Sequence, residues 1–282
     1  MAYIKAFKQY LLGQDKSDNT MSCYVRDTKV FINWYSSRTD YGLDKLIELD
    51  AVEYKKYLQN GSDSIITVNR KIASVNSFLG WLYREGKVER ELSIKPIKNK
   101  DTKQYKGLDD KELRKIRAEI HRSEDKMHIA IIELLLGTGI RVSELVNIKL
   151  TDIEISPRKG KILVLGKGNS VRTVPLNKDI RKAITEYLEV RRKSKDEHLL
   201  IGQRGALKRN AINLILKKYG ARVGIKVTPH KLRHTLGYKL VKKGKAITTI
   251  QQIFGHDNIQ TTNIYTLTTE KDKREALEGL EW

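Results

Sequence analysis

Apolar positions in residues 1–94 recur at steps of three and four, a pattern that predicts amphipathic helices. We expect four of them. Phe7 lies on the apolar face of the first. The second runs near Thr20–Ser36, Asp50 caps the third, and Val68 begins the apolar stripe of the fourth. Short loops between such helices indicate a four-helix bundle with its aromatic residues in the core.

Residues 107–282 mix helical periods with one change to the period of a strand. A strongly apolar helix from Met127 should end at residues 137–139, where two glycines occur, and Ser143 is a plausible cap for the next helix. Residues 161–176 contain two β-rich runs around a glycine-flanked tip, which predicts a hairpin. Asn177 should cap the helix that follows it. We therefore predict a mainly α fold with a small β-hairpin or sheet.

The chain is long enough for two domains with separate cores. Residues 95–106 hold five Lys and little apolar pattern, as is typical of a linker. We predict a helical domain at 1–94, a basic linker at 95–106, and an α+β domain at 107–282. The last domain should end in a short helix at 270–282 with an apolar stripe.

Charge indicates the class of partner. The 282 residues include 55 Lys and Arg against 34 Asp and Glu, a formal net charge of +21. Residues 1–100 hold 17 basic and 12 acidic side chains, whereas the remainder holds 38 and 22. An excess of this size is typical of a nucleic-acid-binding protein. No apolar run approaches the ~18 residues that span a bilayer, so we expect no membrane partner. The sequence contains no CxxC, no HExxH and no clustered carboxylates, so we expect no metal site.

The segment that begins at Thr228 concentrates groups suited to phosphate chemistry. Thr228 is a good N-cap, followed by a proline that suits the first helical turn. On that helix, His230, Arg233 and His234 share one face because they are three and four residues apart. Arg offers a planar fork for phosphate oxygens, and His moves protons near neutrality.

The same segment continues to a possible nucleophile. A short helix with apolar isoleucines should stop at Gly255, which releases His256 into a cleft. Tyr265 follows nine residues later and carries a hydroxyl that cationic neighbours could activate. Taken singly, each of these residues is better explained as a surface or core side chain. The set outweighs that explanation because matching cations lie upstream.

Those upstream cations are Arg141 and Lys167. Arg141 follows two glycines at a turn between helices, and Glu144 three residues later can orient it. Lys167 lies between glycines at the hairpin tip, where a mobile ammonium can reach a ligand. An exposed lysine at such a tip is usually only solvated.

The sequence resembles the tyrosine recombinase (phage integrase) family. The motifs that carry the resemblance, in order, are Thr138-Gly139-Ile140-Arg141-Val142-Ser143-Glu144-Leu145, the hairpin Lys167, His230-Lys231-Leu232-Arg233-His234, Gly255-His256 and Tyr265. Six separately placed residues in order are a more specific signal than any short motif. The resemblance implies that residues 1–94 are a core-binding domain and residues 107–282 a catalytic domain.

The resemblance also implies roles. Tyr265 would attack a DNA phosphate to form a 3′-phosphotyrosyl link, and Lys167 would protonate the leaving 5′ oxygen. Arg141 and Arg233 would hold the non-bridging oxygens, while His230 and His256 would hydrogen-bond the phosphate. Glu144 and His234 would support these groups from behind. The reaction would need no metal, ATP or other cofactor and would pass through a Holliday junction.

Partners follow from the same reasoning. Double-stranded DNA is the expected substrate, with phosphate contacts from these basic residues: Lys98, Lys100, Lys103, Lys208, Arg209 and Lys231. By family analogy, a homotetramer would join two DNA sites, with the helix at 270–282 docked into a neighbouring protomer; packing against its own domain is the alternative. We expect a cytoplasmic, nucleoid-associated protein.

Two other functions stay open at this point. A type IB topoisomerase-like nicking and closing enzyme shares the tyrosine chemistry, although the bundle and the trailing helix suit synaptic assembly better. A non-catalytic DNA-binding regulator of a replicon would need none of the six candidate residues. Among recombinases, the sequence does not separate an integrase, a transposon recombinase and a resolvase.

Overall fold

The computed structural model describes residues 2–14, 16–98, 107–166 and 170–255. The chain divides into two units, Met1–Thr102 and Lys103–Trp282. In the described part of the chain, no helix is long and apolar enough to cross a membrane.

The described residues of the first unit form four α-helices: α1 (Ala2–Leu12), α2 (Asp18–Ser36), α3 (Glu48–Gln59) and α4 (Ile65–Arg84). The prediction of four helices is confirmed. Asp50, however, does not cap α3. Ile47 occupies the N-cap position, and the Asp50 carboxylate reaches back to accept the Ile47 N–H at 2.9 Å. Asp50 therefore bonds to the backbone at the start of α3 from inside the first turn and not from the N-cap position.

Aromatic side chains fill the core of this unit, as their helical spacing predicts. Phe7, Phe31, Tyr54 and Phe78 are fully buried. Phe31 contacts Tyr54 edge-on at a centroid distance of 4.8 Å, and Phe7 contacts Phe78 in the same way at 5.2 Å. Such edge-to-face pairs add stability beyond the area they bury.

The segment after α4 is fastened to that helix by two asparagines. Asn76 donates to the Ile94 carbonyl at 2.9 Å and accepts the Ile94 N–H at 2.8 Å. Asn69 makes the same pair of bonds with Ile97, at 2.9 and 2.8 Å. The chain is therefore held along α4 as far as the start of the basic stretch at 95–106.

The described residues of the second unit form seven α-helices: α5 (Asp110–Arg122), α6 (Lys126–Thr138), α7 (Val142–Leu145), α8 (Lys178–Val190), α9 (Arg209–Arg222), α10 (Pro229–Lys242) and α11 (Ile247–Phe254). Predicted caps are confirmed for α8, where Asn177 accepts the Ile180 N–H at 3.0 Å, and for α10, where Thr228 accepts the Lys231 N–H at 3.1 Å. Helix α6 is buried almost all round, which matches its unbroken apolar sequence.

The predicted hairpin is confirmed as β2 (Gly160–Leu165) paired antiparallel with β3 (Val171–Pro175). Ile162 and Val164 point into the core, while the alternate positions of β2 face outward. A third strand, β1 (Ile153–Ile155), pairs with the other edge of β2. A separate two-stranded ribbon joins β4 (Ile201–Gly202) to β5 (Gly205–Ala206). Neither β1 nor this ribbon was predicted, because runs of two or three residues are too short to show a period.

Candidate active site

Helix α10 places the central histidines and arginine. Thr228 and Pro229 start it as predicted. Leu232 packs into the core on the inner side. The residues predicted to share a face are His230, Arg233 and His234. Of these, Arg233 and His234 are buried, whereas His230, in the first turn of the helix, is exposed.

Arg233 joins the ends of two other helices. Its side chain is only 4% exposed. One terminal nitrogen donates to the carbonyl of Gly139, just after α6, and the other donates to the carbonyl of Phe254 at 2.8 Å. The guanidinium also lies over the Phe254 ring, 4.3 Å from its centroid. Carbonyls at helix C-termini lack intrahelical donors and carry partial negative charge, so a buried cation satisfies them.

Arg141 also bonds to the C-terminal end of α11. Gly139 ends α6 in the left-handed conformation at φ 64°, and the chain turns there so that Arg141 occupies the N-cap position of α7. The guanidinium reaches the Gly255 carbonyl at 3.4 Å. Arg141 and Arg233 therefore bond to adjacent carbonyls, those of Gly255 and Phe254, although 92 positions separate the two arginines.

Glu144 orients Arg141, as we predicted from their spacing. Its carboxylate accepts the Arg141 backbone N–H at 2.8 Å and Nη1 at 2.9 Å. Ser143 was expected to cap this helix and does not. The N-cap position lies two residues earlier, where Glu144 closes the first turn from inside the helix. Ionic and backbone hydrogen bonds outweigh the burial of Glu144 and lower its pKa, so it stays ionised.

Sequence reasoning missed Arg172, on β3. Its two terminal nitrogens donate to the two Glu144 oxygens at 2.8 and 3.2 Å, and its Nε donates to the Ile253 carbonyl at 3.3 Å. The side chain is 15% exposed. No local signal marks this role, since Glu144 lies 28 positions away and Ile253 lies 81 positions away. The period of the strand identified the element but not its partner.

His230 and His234 form a direct pair. Their Nε2 atoms are 2.8 Å apart, so one ring donates and the other accepts. Burial lowers the pKa of His234 to about 4, with His230 and Arg233 adding to the effect. Burial also lowers the pKa of His230, and Arg233 and Arg141 lower it further. Both rings are consequently neutral near pH 7, a state in which imidazole can exchange a proton with a ligand.

A cleft of about 840 Å³ opens beside Arg141, and its lining does not include His230, Arg233 or His234. Arg141, Glu144 and Arg172 line it together with the ends of β2 and β3 and the outer face of α11. Three further predicted residues, Lys167, His256 and Tyr265, lie outside the described residues, as does the predicted helix at 270–282. Gly255, the residue before His256, lines this cleft.

The residues predicted to bind DNA are less uniform. Lys98, Lys208 and Arg209 are exposed. Lys231 is half-buried, with its ammonium 3.7 Å from the Glu112 carboxylate. Two more, Lys100 and Lys103, fall outside the described residues. Within the described ranges, no three His, Cys, Asp or Glu side chains are grouped as metal ligands would be.

Comparison with known families gives two matches along the chain. The phage integrase family matches residues 106–272, and the phage integrase N-terminal SAM-like domain matches residues 4–86. Tyrosine recombinase XerA of Pyrococcus horikoshii is 32% identical, over 98% of this chain and 92% of the relative. A TnP I resolvase of Bacillus thuringiensis is 29% identical, over 99% of this chain and 100% of the relative.

A solved structure agrees at the level of the fold. The XerH site-specific recombinase in a pre-cleavage complex with its difH substrate superposes with a TM-score of 0.76 at 22% identity, covering 93% of this chain and 79% of that one. The matches extend over both units and include the segment that holds Arg141, His230 and Arg233. The chain therefore belongs to the phage integrase family of tyrosine recombinases and is a site-specific recombinase.

Proposed function

We propose that this recombinase breaks and rejoins DNA through a covalent bond between Tyr265 and a 3′ phosphate. The Tyr265 oxygen attacks phosphorus, and the bond from phosphorus to the 5′ oxygen breaks. Lys167 gives its proton to that leaving oxygen. The 5′-hydroxyl of a partner strand then attacks the phosphotyrosine and restores the phosphodiester. The energy of the bond is kept in the intermediate, so no ATP is consumed. Exchange of one strand pair gives a Holliday junction.

The observation that carries the proposal is the convergence of Arg141 and Arg233. Each guanidinium is fixed by carbonyls next to His256 in the sequence, those of Gly255 and Phe254. Two fixed positive charges at one place suit the charge that builds on the non-bridging oxygens in the transition state. Because these cations are held before DNA arrives, they need no reorganisation during the reaction.

The histidine pair supplies the proton chemistry in this proposal. His230 lies at the surface end and would hydrogen-bond the phosphate or take the Tyr265 proton, while His234 holds its ring from behind. A neutral His230 can accept that proton, whereas an imidazolium could not. His256, which follows Gly255 in the sequence, would hydrogen-bond the phosphate. Glu144 would keep Arg141 aimed into the cleft.

Tyr238 is the alternative nucleophile among the described tyrosines of this unit, since it lies on α10. Burial raises its pKa, which favours the protonated phenol and makes it a weaker nucleophile. Its side chain packs against the small apolar cluster of Ile250 and Phe254. These contacts favour a packing role for Tyr238 and support Tyr265 as the nucleophile in this proposal.

The proposal is tested with nicked duplexes made from the DNA that flanks the gene. A nick beside the cleavage position lets the short 5′-hydroxyl fragment diffuse away, so the adduct accumulates and is counted on a denaturing gel. We expect an adduct with wild-type protein and with Tyr238→Phe, in EDTA, and none with Tyr265→Phe, which should still bind DNA. An adduct with Tyr265→Phe would refute the assignment of the nucleophile.

The same protein preparations separate the other two functions. A topoisomerase-like enzyme would relax supercoiled plasmid without exchanging strands between duplexes, and a replicon regulator would bind DNA without forming an adduct. Neither is favoured by the comparisons, because the matched relatives are recombinases over nearly their whole length. We expect strand exchange between two duplexes that carry the same site.

The proposal includes the domain roles and the assembly on DNA. We propose that residues 1–94 form a core-binding domain, that 95–106 link it to the catalytic domain at 107–282, and that both domains contact one DNA site. Phosphate contacts are assigned to these basic residues: Lys98, Lys100, Lys103, Lys208, Arg209 and Lys231. Four protomers would join two sites through exchange of the helix at 270–282, inside the cytoplasm on nucleoid DNA. Chemical cross-linking on DNA, with and without residues 270–282, tests the tetramer.

A further inference from the structure

Arg172 is the less exposed of the two arginines that line the cleft, at 15% against 43% for Arg141. It forms a fork-to-fork pair with Glu144, in which Nη1 donates to Oε1 and Nη2 donates to Oε2. Bidentate pairs of this kind fix the plane of the carboxylate as well as its position. Arg141 bonds to the same two oxygens through Nη1 and its backbone N–H. One carboxylate thus carries two arginines.

The balance of charge shows why a second arginine is needed. Glu144 is ionised, 7% exposed, and in contact with Arg141. With Arg141 as its only partner, the carboxylate would cancel the charge that the cleft offers to a phosphate, and it would repel the phosphate itself. Arg172 compensates Glu144 instead. The positive charge of Arg141, whose side chain is 43% exposed, then remains available to a phosphate.

Arg172 also links three parts of the fold. It belongs to β3, where it lies opposite Val164 of β2, and Lys167 lies between these two strands in the sequence. Its Nε bonds to Ile253 near the end of α11. Gly255 has φ +60°, and a Cβ at that position would lie 2.9 Å from the Arg172 Nη1 atom. The backbone before His256 therefore packs directly on this guanidinium.

We propose that Arg172 is a positioning residue for strand cleavage: through Glu144 it holds Arg141 in its phosphate-binding orientation and leaves the charge of Arg141 uncompensated. This inference rests on the proposed function, since it assigns Arg141 to the scissile phosphate. Arg172 itself does not touch the reacting atoms. It acts through the carboxylate.

The test is a double-mutant cycle in single-turnover cleavage of the nicked duplex at saturating protein. We expect Arg172→Gln to slow cleavage about 100-fold, the size of effect that a misplaced catalytic group produces. Arg172→Lys keeps the charge without the fork and should recover part of that loss. In a Glu144→Gln background, where no carboxylate charge remains to compensate, Arg172→Gln should cost at most about threefold more, because residues that act through one contact are not additive.

A matched control separates positioning from folding. Arg117 bonds to the buried Glu133 carboxylate at 2.8 and 2.9 Å in the same unit, away from the cleft. Arg117→Gln should lower the melting temperature about as much as Arg172→Gln and leave the cleavage rate within about threefold of wild type. DNA affinity should be similar for both variants.

A second substrate separates Arg141 from Lys167. Replacing the bridging 5′ oxygen by sulfur gives a leaving group of much lower pKa, near that of a thiol at about 8.5, which needs no proton from Lys167. We expect the Arg172→Gln defect to persist on this DNA, because it arises at the non-bridging oxygens.

Three results would overturn the proposal: equal cleavage by wild type and Arg172→Gln, a full Arg172→Gln defect in the Glu144→Gln background, or rescue by the sulfur substrate. Tyr265→Phe run alongside keeps the outcomes distinct. A failure of the proposed function would appear as no Tyr265-dependent adduct with the wild-type protein.

Discussion

Substituting alanine for Gly139 tests whether the turn between α6 and α7 holds the site together. Gly139 has φ +64°, where an L side chain costs about 1–2 kcal/mol. A Cβ there would lie 2.9 Å from Cδ1 of Phe254 and 3.0 Å from Cδ2 of Leu236. Overpacking of this kind adds about 1–3 kcal/mol. The two costs together predict that Gly139→Ala lowers the free energy of unfolding by about 2–5 kcal/mol.

Gly224→Ala is the matched control. Gly224 has nearly the same backbone, φ +69°, but a Cβ there meets no atom within 4 Å. It should therefore cost only the backbone term of about 1–2 kcal/mol. Urea unfolding of the two variants measures the difference, which isolates the overlap with Phe254. Equal losses would refute the packing of Phe254 against this turn.

Gly139→Ala should also slow DNA cleavage. Phe254 holds Arg233 through its carbonyl and its ring, and the Gly139 carbonyl accepts from the other side of that guanidinium. A shift of Phe254 displaces Arg233, so we expect cleavage of the nicked duplex to fall about 100-fold in Gly139→Ala. Gly224→Ala should cleave at the wild-type rate under conditions where both proteins are folded.

Three further outcomes follow from individual contacts. The folded-state pKa of His234 is about 4, below its ordinary 6.5, so the unfolded state binds the proton first as pH falls. The free energy of unfolding should therefore fall as pH drops from 6.5 to 4, and it should fall less in His234→Asn. Urea titrations at several pH values measure both slopes. Asn76→Ala leaves the N–H and carbonyl of buried Ile94 unpaired and should cost about 1–3 kcal/mol by the same method. If the exposed Arg209 contacts a phosphate, Arg209→Gln should reduce the slope of log affinity against log salt by about 0.9, and an unchanged slope would remove it from the interface.

Local chemistry explains which parts of the fold were predictable. Thr228 and Asn177 start their helices as expected, because a cap acts within three residues of itself. Gly139 and Gly255 end α6 and α11 in the left-handed conformation for the same reason. The caps at Asp50 and Ser143 were wrong where a carboxylate inside the first turn served the backbone instead. At Asp50 the error concerns the position of the side chain, which lies three residues after the N-cap, and at Ser143 it concerns which side chain makes the bond. The helices themselves are present.

The site divides along the same line. Arg141, His230 and Arg233 became candidates because each lies in a recognisable motif, and the structure places Arg141 and Arg233 on adjacent carbonyls. Arg172 lies in an ordinary strand pattern, and its partners Glu144 and Ile253 come from distant parts of the chain. A contact of that kind is decided by how the hairpin packs against α7 and α11. Sequence period carries no information about it.

One physical feature accounts for the choice of arginine at all three positions. Helices α6 and α11 both end beside Arg233. Their last carbonyls, together with those of Gly139 and Gly255 beyond them, have no intrahelical donors. Arg141, Arg172 and Arg233 each donate to one or more of these carbonyls. A guanidinium has several donors in a rigid plane, so it can serve a carbonyl and still present positive charge to a phosphate, whereas a lysine ammonium offers no such plane. Under the proposed mechanism, the same three side chains that serve these helix ends also serve cleavage: Arg141 and Arg233 bind the phosphate, and Arg172 positions Arg141. A change at any of the three should therefore affect stability and cleavage together.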